Sequence, residues 1–124
     1  MKYYAKVIET NDNVDEEVLL SFGEVDVYCF IASCPYEITK GNVYLVDVEL
    51  SFLDDEVIEP QLGNNSSLIR RGDGFSYEIR GFKIEDKIIV NGLAFSDELY
   101  AKEYGYINNE YVITRPDRIS VSFI

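Results

Sequence analysis

Histidine and tryptophan are absent from this chain of 124 residues, and it has only two cysteines, one methionine and three prolines. Without histidine it lacks the commonest general base, the imidazole metal ligand and the usual Ser and Cys triads. Cys29 and Cys34 fall short of the four Cys/His ligands that a structural zinc site takes. The eight glycines never group into a phosphate-binding loop. No catalytic residue, metal or cofactor is therefore expected, and the chain reads as a non-enzyme. No apolar run approaches the ~18–20 residues of a membrane helix. The first residues, Met1 to Glu9, alternate and carry charge where a secretory signal would be apolar. The expectation is a cytoplasmic protein with reduced thiols and no membrane association. Cys29 shares parity with Val25, Val27 and Ile31 and reads as a core residue. Cys34, before Pro35, reads as a loop residue, and no disulfide between the two is expected.

Positive charge is the other scarcity. Eleven bases face 23 acids, for a net charge of −12 and a pI near 4.3. Residues 1–62 carry 14 acids and three bases (Lys2, Lys6, Lys40), a net −11, whereas residues 63–124 carry nine acids and eight bases, a net −1. Such asymmetry suggests one strongly negative surface. It favours solubility, and it would draw in a cationic protein. It disfavours nucleic acid, whose binding depends on neutralising phosphates. With 47% apolar residues, a mass of 14.2 kDa and a mean hydropathy of −0.09, a single β-rich domain over residues 1–124 is expected, with a core of its own.

The patterning is mostly period two with frequent turns. Strands are expected over residues 3–9, 16–22 and 25–32, with one helical turn as the alternative around Glu16–Leu20. Residues 43–53 alternate most clearly: Tyr44, Val46, Val48, Leu50 and Phe52 face one way, and Leu45, Asp47, Glu49 and Ser51 the other. Residues 54–67 read as the longest loop. Asn91-Gly92 between two apolar runs predicts a type I′ hairpin. Ser96 is placed to cap a short helix over 97–104, and strands follow at 110–114 and from Ile119 to Phe123. About eight strands and one helix suggest a mainly β fold: a small single-domain β-barrel, OB-like in form, or a compact sandwich.

The short motifs have plain readings. Arg71-Gly72-Asp73 spells the cell-adhesion tripeptide but reads better as a turn into the Phe75 strand. The sequons at Asn64 to Ser67 mean nothing without export. The Asp12–Glu17 run lacks the glycine and the spacing of a calcium loop; weak calcium binding at Asp54-Asp55-Glu56 is the other metal reading weighed. Arg70, Arg71 and Arg80 beside Phe75 and Tyr77 suggest an OB-like surface for a ligand or nucleic acid. Glu24, Asp26, Tyr28 and Phe30 share one face of a strand at about 6.5–7 Å intervals, opposite the core set. Asp47 and Glu49 lie outward on the long strand, which could be its neighbour. Aromatic anchors beside carboxylates suit a Lys/Arg-rich protein partner. The expected partner-binding residues are thus Asp26, Tyr28, Phe30, Asp47 and Glu49. The expected function is an acidic protein-binding module that neutralises a basic partner, such as a nuclease toxin. Small acidic inhibitors, immunity proteins among them, are similar in size and charge alone. The alternatives are the OB-like binding domain and an auxiliary domain whose charge only maintains solubility.

Overall fold

The computed structural model covers residues 1–124 and contains eleven strands and one short helix: β1 (Lys2–Asn11), β2 (Val14–Ser21), β3 (Asp26–Ser33), β4 (Val43–Ser51), β5 (Ile58–Pro60), β6 (Ser67–Arg70), β7 (Tyr77–Ile84), β8 (Lys87–Val90), β9 (Leu93–Ser96), α1 (Glu98–Lys102), β10 (Glu110–Thr114) and β11 (Arg118–Phe123). The fold is mainly β, as the alternation predicts. No helix is long and apolar enough to cross a membrane.

Five strands close a ring in the order β1-β2-β3-β11-β4, with β4 pairing back onto β1. Every pairing is antiparallel except β3 with β11, which is parallel. A parallel pair needs a long connection, and residues 34–117 supply it. Closure depends on β1, whose residues 2–6 pair with β4 and whose residues 6–11 pair with β2. Register shifts at Val7/Glu9 and Thr10/Asn11 mark where it leaves regular pairing, and such bulges bend a strand. The chain between β4 and β11 forms a second sheet in the order β5-β10-β7-β8-β9, with β6 also pairing with β7.

One core runs from inside the ring (Val7, Val18, Leu20, Val27, Val46, Val48, Val121) into the second sheet (Tyr77, Ile79, Val90, Leu93, Phe95). A smaller core of Ile58, Ile88, Tyr100, Ile107 and Val112 lies where Tyr100 of α1 packs on the second sheet. Two tyrosine hydroxyls join the sheets. The Tyr3 hydroxyl accepts from the Ala94 N–H at 2.6 Å and donates to the Ala94 carbonyl at 3.3 Å. The Tyr77 hydroxyl accepts from the Tyr28 N–H at 2.7 Å.

Local expectations hold where local chemistry decides. Val46 and Val48 are buried, and the β8–β9 turn has φ of 46° at Asn91 and 83° at Gly92, as a type I′ turn requires. Cys29 is buried, which pushes its thiol up, and Cys34 donates to the Tyr36 carbonyl; both are free. Three expectations change. Residues 54–67 are not one loop, because β5 lies within them and β6 begins at their end. The helix cap is Asp97, whose carboxylate accepts from the Leu99 N–H, one residue after the expected Ser96. The strands carrying Tyr28 and Asp47 are not neighbours, because β11 is inserted between them.

Candidate functional site

Residues that alternate away from the ring's core form rows across its outer surface. Glu17 pairs with Phe30, Phe30 with Ser120, and Ser120 with Glu49. Leu19 lies opposite Tyr28 one step along. Phe30 and Glu49 therefore share a row but stand two strand spacings apart, about 10 Å.

Tyr28 and Phe30 are half-buried rather than free anchors. The Arg70 guanidinium lies over the Tyr28 ring at 3.9 Å, and that of Arg118 over Phe30 at 4.0 Å. Phe75 meets Phe30 edge-on at 5.2 Å. Over Tyr28 the covering element is the end of β6 and the turn that follows it, where Arg70 also donates to the carbonyls of Gly74 (2.9 Å) and Asp73 (2.7 Å). Arg70 further pairs with Glu17 at 3.1 Å, and both side chains are largely shielded. Two half-exposed cation–π contacts of this kind contribute about 0.5–1 kcal/mol each.

Above this arrangement lies an open cavity of about 490 Å³ between the β1–β2 turn, β3 and the β6–β7 turn. Its charged lining is Glu9, Asp12, Glu17 and Asp73 against the single cation Arg70. Asn11 shapes one wall by holding the Glu17 carboxylate at 2.9 Å and accepting from the Asn13 N–H. Asp26 is exposed at the start of β3, opposite Ser21. Asp47 and Glu49 line a different cavity of about 420 Å³, where the ring meets Phe95, Asp97 and Tyr100. Asp47 is paired there with the Met1 ammonium at 3.1 Å; Glu49 is exposed and makes no ion pair. The five expected residues thus do not form one site: Tyr28 lines the first cavity, Asp47 and Glu49 line the second, and Asp26 and Phe30 line neither.

Residues 1–124 match the family described as Uncharacterised conserved protein UCP019853. The chain belongs to that family. No curated protein and no solved structure matches it.

In this member of the UCP019853 family, the three arginines of the alternative site do not converge. Arg70 pairs in register with Tyr77, on the core-facing side of the second sheet, while Arg80 alternates to the other side and pairs with Glu78 at 3.0 Å. Arg71 is exposed in the turn between them. Tyr77 is buried, so it offers no stacking platform. Two features were missed from sequence. One is Arg70 as the cover of Tyr28, which depends on β6 docking beside β3. The other is an apolar row of exposed Tyr4 and Ile124 with half-buried Leu45 beside Asp47; the outward parity of Tyr4 was its available signal.

Proposed function

We propose that this chain is a non-catalytic, cytoplasmic binding module that captures a basic protein partner through the acidic cavity over Tyr28, as an inhibitor or immunity-type protein would. The observation that carries this reading is the lodging of Arg70. There a guanidinium is held by a carboxylate, two carbonyls and the face of a tyrosine. Glu9, Asp12 and Asp73 add three carboxylates to the same cavity with no further cation in its lining. A second guanidinium or ammonium arriving from a partner would meet uncompensated negative charge beside an environment already suited to it. The charge would steer encounter and raise the association rate, and the half-buried Tyr28 and Leu19 would supply contact area. Exposed Asp26, further along β3, extends the same field.

The aromatic and arginine pairs on β3 favour one second reading, an OB-like surface for single-stranded nucleic acid. Against it, Arg70 is already neutralised by Glu17, and the Arg118 guanidinium already covers the Phe30 face on which a base would stack. The test is capture from native lysate on the immobilised chain at low salt, followed by elution at high salt, for the wild type and for Glu9→Lys/Asp12→Lys. The expected result is one basic protein that is released by salt and lost with the double reversal. Retained oligonucleotide would promote the second reading. An empty bait at low salt would leave solubility as the role of the charge and overturn the proposal.

A further inference from the structure

The outer face of β1 and β4 carries the largest set of exposed apolar side chains on the ring. Tyr4 is 74% exposed, Val43 58% and Ile124 53%. Register places them together: Tyr4 lies opposite Leu45 and Lys6 opposite Val43, and the Ile124 N–H donates to the Leu45 carbonyl. Charges of both signs flank this row. Lys2 and Lys6 point outward on β1, and Lys2 lies opposite Asp47 on β4, with Glu49 two residues beyond. Neither lysine nor Glu49 makes an ion pair within the chain. These are two of only three bases in residues 1–62.

We infer that this face is a self-complementary contact for a second copy of the chain. Two sheets that pack face to face lie about 10 Å apart with strand directions within about 30°. A two-fold axis running between β1 and β4, parallel to them, carries each β1 over the other copy's β4 without changing position along the strand. The register then sets Tyr4 over the second copy's Leu45, Lys6 over its Val43, and Lys2 over its Asp47 with Glu49 within reach. Tyr4 thus meets Leu45 and Lys2 meets Asp47 and Glu49, each twice as an isologous interface requires, while the aliphatic stem of Lys6 lies along Val43. For a chain of net −12, a second copy is opposed by general repulsion, and a face that presents lysines to carboxylates is where that repulsion reverses. The remaining ring face, with the Tyr28 cavity, stays open for another partner.

The strip from Val43 to Glu49 is about 20 Å long and about 15 Å wide from strand rise and spacing, about 300 Å². That is well below the ~800 Å² per partner of a standard interface, so the dimer is weak and concentration-dependent. Sedimentation velocity from about 1 to about 300 µM tests it. The expected result is a mass rising from 14.2 kDa toward twice that value. Lys2→Glu and Asp47→Lys should each weaken self-association roughly tenfold, about 1.4 kcal/mol, and an equimolar mixture of the two should associate as heterodimers. Tyr4→Ser should give a monomer with an unchanged melting temperature, since Tyr4 is exposed. A monomer throughout the range would overturn the inference. So would a wild-type dimer that is indifferent to these substitutions, or a mixture in which the two reversals fail to rescue each other.

Discussion

The junction between the ring and the second sheet depends on one hydroxyl whose removal gives a calculable loss. The parallel ladder of β3 with β11 begins at Phe30, leaving the Tyr28 N–H without a strand partner on that side. The Tyr77 hydroxyl fills the vacancy at 2.7 Å, from a side chain only 3% exposed. Tyr77→Phe keeps the ring packed in the core and deletes this acceptor alone. A donor left unpaired in a shielded position costs about 1–3 kcal/mol, so a loss of about 2 kcal/mol is expected. For a chain of this length that is a fall in Tm of about 6–8 °C. Urea unfolding should show a lower midpoint at an unchanged slope, and the Tyr28 amide should exchange faster. The loss should also depend on pH. Burial pushes the Tyr77 phenol from 10.0 up to about 12, so the folded state holds that proton after the unfolded state has released it. Wild-type stability from this group is therefore complete below pH 10 and falls as pH rises toward 12. The Phe variant has no such proton, and the gap between the two proteins should narrow in that window. A loss below about 0.5 kcal/mol with Tyr28 exchange unchanged would refute the assigned role of the hydroxyl.

Two further perturbations follow from named contacts. Glu56 has a buried Oε1 without a hydrogen-bond partner, and burial raises its carboxyl above the ordinary value, with Asp97 and Glu103 adding to the rise and Tyr100 opposing it. A raised folded pKa means stability lost as pH rises past the ordinary carboxylate range. Glu56→Gln should therefore raise the Tm at pH 7, by about 0.5–1 kcal/mol in stability, with the gain shrinking by pH 4; thermal melts at both pH values check it. Arg70→Ala removes the cation over Tyr28 and the Glu17 partner together, at about 1–2 kcal/mol. Millimolar methylguanidinium should restore part of that Tm and leave the wild type unaffected; equal effects on both would count against a guanidinium site over Tyr28.

What the sequence reveals about this fold is what adjacent residues decide. The β8–β9 hairpin is legible because Asn91 and Gly92 supply the two positive φ angles by themselves. The inward face of β4 is legible because Val46 and Val48 alternate with Asp47 and Glu49. The ring itself is not, because its closing pairs join Phe30 to Ser120 and Tyr3 to Val46, and alternation states which face is buried without naming the neighbour. β5 was missed because three residues ending in Pro60 carry no period; they are strand because β10 pairs with them. Lys83 alternates with Tyr77 and Ile79 on the inner face of β7 and is fully covered, its ammonium donating to the Glu85 carbonyl inside the β7–β8 turn.

The same limit explains why the five expected binding residues divide. Parity correctly put Asp26, Phe30, Asp47 and Glu49 outside the core, since it needs only the local period, whereas Tyr28 packs against the core's edge. Whether an outward residue is free depends on what lies across it, and that is set by elements far along the chain. Arg70 comes from the end of β6, Phe75 from the β6–β7 turn, and Arg118 from the start of β11. These arginines belong to the nearly neutral half of the sequence, so that half, through β6 of the second sheet and β11 of the ring, brings positive charge back onto the acidic ring. Where it does so, at Tyr28 and Phe30, aromatic surface is covered and paired. Around Glu9, Asp12 and Asp26 no such cover arrives, and those carboxylates stay exposed.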